Sequence, residues 1–354
     1  MFIAALRSAG PRSIAPRRSL NPLPIIRGTR SFSDDPLLKT LLRNRELSRE
    51  EAVNELRWIR EEAREDIQRQ AAAIFGVSMP KKEDMEAMRG LESGVVLGLV
   101  ERRAQGEPLQ YILGNVDFGP LQLICRPPTL IPRPETAHIF TRLSDELRSA
   151  SSASSEHLSI VDLCSGSGCI PLLLSHTLQD RLAHAFGFEL SSKALQLARD
   201  NAASLGIRNT SFSQLDILSP TAVSDILAAT KGKVSVLTAN PPYISQAEYE
   251  QLPDSVRRYE DPRALLGDTQ DGDGEGLAFY GRIADMLPDL LLDDKDMAGK
   301  GWASAPRVVM EIGESQGEDV SQILYQAGDG SMFTRTEIWQ DQYGKDRAVV
   351  GWSG

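Results

Sequence analysis

The sequence predicts an α/β protein in which a mostly parallel, doubly wound sheet follows a small helical bundle and a β-hairpin linker. Three observations carry this. From Leu158 onward, short apolar strand-like runs alternate with helical stretches. Between about residues 48 and 104, apolar residues recur every three or four positions. Between those regions, residues 107–135 are dominated by Pro, Gly, aromatic and β-branched residues, with Gly114, Gly119 and the pair Pro127-Pro128 as punctuation.

The first 33 residues contain Arg7, Arg12, Arg17, Arg18, Arg27 and Arg30 and no acid. That composition predicts a mitochondrial transit peptide over 1–33, with a processing site near Arg30-Ser31-Phe32-Ser33 and a destination in the matrix. Residues 34–106 then read as a small all-helical domain. Its first long helix opens on Ser48-Arg49-Glu50-Glu51, a capping box, and carries the stripe Val53, Leu56, Ile59, Ala63 and Ile67. A second helix is expected over 82–104, and 107–135 as a β-hairpin linker.

The remaining domain, 136–354, opens with a solvated Ser/Ala loop over 149–155. Strands are expected at 159–163, 183–188, 210–215, 234–239 and 308–312. Two late strands, near 333–339 and 347–352, are joined by Gln342-Tyr343-Gly344-Lys345, short enough for an antiparallel hairpin. Residues 284–305 show no strong pattern and read as an insertion or flexible loop.

A chain of 354 residues with 41% hydrophobic and 25% charged residues has the composition of a soluble globular protein. Its longest apolar stretches, such as 94–100, are too short to cross a bilayer, so no membrane partner is expected. The net charge of −10 hides an asymmetry: without the six leader arginines the body carries −16. Such a body repels a polyphosphate backbone, which argues against direct nucleic-acid binding. Cys125, Cys164 and Cys169 form no Cys-x-x-Cys pair, and His138, His157, His176 and His184 have no metal-ligand spacing. No disulfide framework and no metal are expected.

Two motifs carry chemistry. The first is the turn Asp162-Leu163-Cys164-Ser165-Gly166-Ser167-Gly168 between the first strand of the sheet and a helix. Glycine there allows close approach of backbone to a ligand. Pro171 stands where a dinucleotide site has its third glycine, Glu189 closes the next strand in reach of ribose hydroxyls, and Asp216 follows the third strand, where it can accept an adenine amino group. An adenosine ligand lacking a pyrophosphate, S-adenosylmethionine, satisfies all three. The second motif is Asn240-Pro241-Pro242-Tyr243 at the end of the fourth strand. The prolines remove backbone donors and leave carbonyl acceptors. Asn240 adds an oxygen acceptor and Tyr243 a flat aromatic face, a constellation suited to a planar NH₂ group.

Asn240-Pro241-Pro242-Tyr243 resembles the motif of S-adenosylmethionine-dependent methyltransferases that act on adenine or cytosine amino groups or on glutamine amides. The linker separates those substrates. Gly106-Glu107-Pro108-Leu109-Gln110-Tyr111, Phe118-Gly119 and Leu130-Ile131-Pro132-Arg133-Pro134-Glu135-Thr136 resemble the HemK/PrmC family, the peptide chain release factor glutamine N5-methyltransferases. The likeness continues through Tyr259-Glu260-Asp261-Pro262-Arg263-Ala264-Leu265, Glu311-Ile312-Gly313 with Gln316, and Asp341, Gly344 and Arg347. Ala137 stands where the family commonly has a second acid, and the segment 267–276 is longer than usual.

The resemblance implies a Rossmann-like class I methyltransferase sheet and a substrate-docking role for the helical domain 34–106. It also implies a cofactor site built from Thr136, Asp162, Cys164, Gly166, Gly168, Glu189, Asp216 and Asn240. Asn240, Pro241, Pro242 and Tyr243 would hold the acceptor glutamine, with Arg133 beside them. The implied partner is the Gly-Gly-Gln loop of a mitochondrial class I release factor, met by a monomeric enzyme. Two rival readings use the same residues. A nucleic-acid amino-methyltransferase would need a basic groove that a body of −16 does not offer. A non-catalytic assembly factor would have no use for an intact Asn-Pro-Pro-Tyr.

Overall fold

The computed structural model describes residues 35–75, 82–150, 156–268 and 274–353. The leader expected over 1–33 and most of the Ser/Ala loop lie outside the described residues. The chain forms two compact units: the described residues up to Asn115 with Pro253–Tyr259, and Val116–Leu252 with Glu260 onward.

The first unit is built from α1 (Pro36–Leu41), α2 (Arg49–Phe75), α3 (Lys82–Ala104) and the short α4 (Leu109–Leu113). The capping box forms: Glu51 N donates to Ser48 Oγ at 3.2 Å and Ser48 N to Glu51 Oε2 at 2.8 Å. Leu56, Ile59 and Ala63 of the expected stripe meet Leu38, Leu41, Val96, Val100 and Ile112 in one core. A buried ion pair ties α3 to α2, Arg103 donating to both Glu55 oxygens at 2.6 and 3.0 Å. The helix α4 occupies the start of 107–135, expected as a hairpin linker. Pro108 opens it and Gly114, at φ 75°, closes it with its N–H on Gln110 O. Pro and Gly mark the two ends of a single helical turn here.

The hairpin itself is β1 (Asn115–Phe118) and β2 (Leu121–Ile124), whose Phe118, Leu121 and Leu123 pack beneath α5 (Pro134–Ala150). From there strands and helices alternate: β3 (Leu158–Leu163), α6 (Cys169–Leu178), β4 (Leu182–Glu189), α7 (Ser192–Leu205), β5 (Thr210–Gln214), α8 (Ala222–Thr230) and β6 (Val236–Ala239). They are followed by α9 (Ala278–Leu290), α10 (Asp294–Gly299), β7 (Val308–Glu311), α11 (Gly317–Gln326), β8 (Arg335–Gln340) and β9 (Asp346–Trp352). The seven strands β3 to β9 form one sheet in the order β5-β4-β3-β6-β7-β9-β8. β5 through β7 run parallel, while β9 is antiparallel to both β7 and β8. This is the doubly wound order with a reversed strand inserted near one edge, the Rossmann-like class I methyltransferase sheet.

Alternation along the strands feeds two cores. Ile160 faces α5 and α6 with Phe140, Leu143 and Leu172, while Val161 and Leu163 face α9 and α11 with Ile283, Leu287 and Leu324.

Residues 284–305, expected as an insertion or flexible loop, instead comprise the end of α9, the helix α10 and a buried connection toward β7. Met286, Leu287, Leu290, Met297 and Trp302 are all buried. Pro288 sits inside α9 and hid the pattern, although near a helix end it removes only one internal hydrogen bond. Asp293 then caps α10, taking Asp296 N at 2.8 Å.

Candidate active site

Parallel strands leave their carboxyl ends along one edge of the sheet, and the loops after β3, β4, β5 and β6 enclose a crevice there. Its walls include Cys164, Gly166, Phe188, Glu189, Leu215, Asp216, Ile217, Asn240, Pro242 and Phe279.

The turn after β3 is shaped by left-handed residues: Cys164 at φ 58°, Gly166 at φ 54° and Gly168 at φ 78°. A Cβ at Gly168 would lie 2.8 Å from the Phe212 ring, so this glycine is needed for packing beneath the turn and does not line the crevice. Glu189 straps the turn from the neighbouring strand: its Oε2 accepts from Gly166 N at 2.8 Å and its Oε1 from Ser191 N at 2.7 Å. Burial holds its carboxyl above the ordinary range, with the backbone N–H groups of Ser191, Gly166 and Leu190 opposing and Asp261 adding. Asp216 stands exposed at the end of β5 with its Oδ1 on Leu218 N at 2.9 Å.

Two other acids behave differently. Asp162 is fully buried, bonded to the Ser165 hydroxyl and to Thr238 Oγ1, the latter at 2.7 Å. Burial pushes it up to about 7, the hydroxyls opposing. It braces the turn from beneath and does not reach the crevice. Thr136 likewise lies away from the crevice lining, buried at the start of α5 against the carboxyl of Glu311. Burial pushes the Cys164 thiol well above its ordinary range, with Glu189 adding to it, so this side chain meets a ligand as a neutral packing group.

The Asn240–Tyr243 segment leaves β6 into a tightly held loop. Gln316 clamps it, donating to Tyr243 O at 3.0 Å and Glu275 O at 2.9 Å while accepting from Gly313 N at 2.9 Å. Ile244 N reaches Leu265 O at 2.9 Å and Gly267 N reaches Ile244 O at 2.9 Å. Asn240 and Pro242 form part of the crevice wall; Pro241 and Tyr243 are not among its lining residues. Burial pushes the Tyr243 phenol up to about 12, Glu311 adding and Arg347 opposing. Arg133, expected at the substrate, is bound through one nitrogen to both oxygens of Glu260 at 2.7 and 2.9 Å, and Glu260 also takes Ile131 N at 3.1 Å. The clamp residue Gln316 and the apolar slot of Phe188, Leu215, Ile217 and Phe279 were not singled out as site residues from sequence.

These residues fit S-adenosylmethionine. Glu189 presents both oxygens with fixed orientation for a ribose diol, and the apolar slot beside Asp216 suits an adenine. The cation on the wall, Arg263, is tied to Asp261 at 2.6 Å, so the crevice favours a sulfonium over a pyrophosphate. Glu189→Ala is expected to weaken cofactor binding at least tenfold, about 1.4 kcal/mol, by calorimetry; an unchanged affinity would remove Glu189 from the ribose.

A methyltransferase domain profile matches residues 154–256. The release factor glutamine methyltransferase of Bacillus subtilis is 35% identical over 250 residues, covering 71% of this chain and 77% of its own length. That of Geobacter sulfurreducens is 36% identical over 254 residues, covering 72% and 76%. A solved protein-(glutamine-N5) methyltransferase (release factor-specific) from Alicyclobacillus acidocaldarius shares 20% identity at a TM-score of 0.34, over 63% of this chain and 95% of its own. On the two sequence relatives, the chain belongs to the release factor glutamine methyltransferase family.

Proposed function

We propose that this enzyme transfers a methyl group from S-adenosylmethionine to the side-chain nitrogen of the glutamine in the Gly-Gly-Gln loop of a mitochondrial class I peptide chain release factor, in support of translation termination. The observation that carries the reading is that Asn240 and Pro242 wall the same crevice as Glu189 and Asp216, which sets the acceptor motif against the cofactor slot. The acid-free leader with six arginines supports delivery to the mitochondrial matrix.

Bound S-adenosylmethionine supplies a methyl group activated by its sulfonium. The protein's task is to make a poor nucleophile react, because an amide lone pair is delocalised into its carbonyl. Asn240 Oδ1 and the Pro241 carbonyl accept the two amide hydrogens and so turn the nitrogen toward the methyl. The same two acceptors favour the positive charge that grows on nitrogen as the new N–methyl bond forms; the departing group is neutral S-adenosylhomocysteine, and the nitrogen then gives up one amide proton to water. Pro241 and Pro242 contribute no backbone donor that would compete for them. Tyr243 stacks against the planar amide.

The test is incubation of the full-length protein with a recombinant mitochondrial class I release factor and methyl-labelled cofactor, followed by peptide mass spectrometry. A single methyl group on the glutamine of the Gly-Gly-Gln peptide is expected. Label recovered only in nucleic acid in parallel reactions would overturn the reading.

A further inference from the structure

Glu311 ends β7 and is 2% exposed, and among the described residues its Oε2 has no hydrogen-bond partner. The Thr136 hydroxyl lies buried beside it and favours its charged form. A buried oxygen of this kind is costly to keep, and a core position at a strand end is more cheaply filled by an apolar side chain. Its place explains the acid. β6 and β7 run parallel with Ala239 opposite Met310, which sets Glu311 next to Asn240 across a strand spacing of roughly 4.8 Å.

The groups around Glu311 come from every neighbouring element. Arg347 faces it from β9, and Arg133 and Glu135 from the start of α5. Tyr243 faces it from the loop after β6, Tyr280 from α9 and Cys169 from α6. Arg347 is itself held by Asp341 at 3.4 Å, and its carbonyl takes Ile312 N at 2.9 Å. Tyr243 bonds to this guanidinium and feels the Glu311 carboxyl, and its ring lies against Gly313, two residues beyond Glu311.

We infer that Glu311 is a positioning residue for methyl transfer, acting through Tyr243: its carboxylate, with Arg347, fixes the Tyr243 ring beside Asn240. The inference rests on the proposed reaction. Burial pushes the Glu311 carboxyl up to about 7; the Thr136 hydroxyl, Arg347 and Arg133 oppose this and Glu135 adds to it. The charged form therefore grows as pH rises through neutrality, and kcat rises with it. The buried Asp162 titrates in the same range, so variants must separate the two.

The experiment measures kcat and both KM values from pH 5.5 to 9 for the full-length wild type, Glu311→Gln and Thr136→Val. The wild type is expected to show a rising kcat limb that levels off above neutrality. Glu311→Gln, close in shape, should lose that limb and at least tenfold in kcat at pH 8, with the KM for S-adenosylmethionine within twofold. Thr136→Val removes a hydroxyl that favours the carboxylate and should move the inflection to higher pH. An inflection retained in Glu311→Gln, or a flat wild-type profile, overturns the role. If Glu311→Gln does not fold, an unmoved inflection in Thr136→Val overturns it. A wild type that methylates no glutamine at any pH overturns the reaction itself and this role with it.

Discussion

Asn240→Ala loses methyl transfer by at least about a hundredfold, the scale on which removal of one preorganised polar partner acts on a charge developing in the transition state. The side chain is short and sits in the crevice wall after β6, so truncation removes the oxygen acceptor and leaves β6 in place between β3 and β7. The contacts expected to hold the nucleoside, Glu189 at the end of β4 and Asp216 after β5, are on other strands. Cofactor affinity should therefore stay within a few-fold by calorimetry while single-turnover transfer to the release factor collapses. The division between the two readouts is the point: a loss in both would mean that Asn240 binds cofactor, and a wild-type rate would remove it from the mechanism. Glu189→Ala is the complementary variant, with affinity lost first.

Much of this site could be read from the chain because its parts sit at strand ends, and strand ends are marked locally. Glu189, Asp216 and Asn240 each follow a run of strand-forming residues, and the crevice brings all three together. Asp162 shows the limit. A carboxylate near a glycine turn can face the crevice or the body of the sheet, and only the pairing of β3 with β6 puts Thr238 Oγ1 on it. Arg133 shows another, since its partner Glu260 lies 127 residues away and no local pattern announces the pair. Gly168 is expected from sequence to stand close to a ligand, whereas its neighbour is the Phe212 ring. In the fold, α9 escaped notice because Pro288 counts against a helix in any local rule, and the burial of Ile283, Leu287 and Leu290 that outweighs it is a tertiary fact.

Gly276→Ala is expected to abolish transfer through the backbone and not through any lost side chain. Gly276 adopts φ 72°, and a Cβ there would stand 2.2 Å from the Tyr243 carbonyl oxygen and 2.9 Å from its carbon. These are backbone atoms, so no rotamer change relieves the clash. The same carbonyl accepts from Gln316 Nε2 at 3.0 Å, and that nitrogen would itself lie 3.1 Å from the new methyl group. The Tyr243 peptide must move off its clamp, and the Asn240–Tyr243 segment moves with it. Left-handed strain of about 1–2 kcal/mol and overpacking of about 1–3 kcal/mol set the thermodynamic scale, a fall of several degrees in Tm. Gly274→Ala is the matched control, because φ is 80° there and no atom lies within 4 Å of the added Cβ, leaving strain alone. Transfer should fall at least a hundredfold in Gly276→Ala and by less than tenfold in Gly274→Ala, measured at a temperature where both are folded. Equal losses in the two variants would show that loop strain, and not the seating of Tyr243, governs the rate; a wild-type rate in Gly276→Ala would mean that the acceptor motif tolerates displacement.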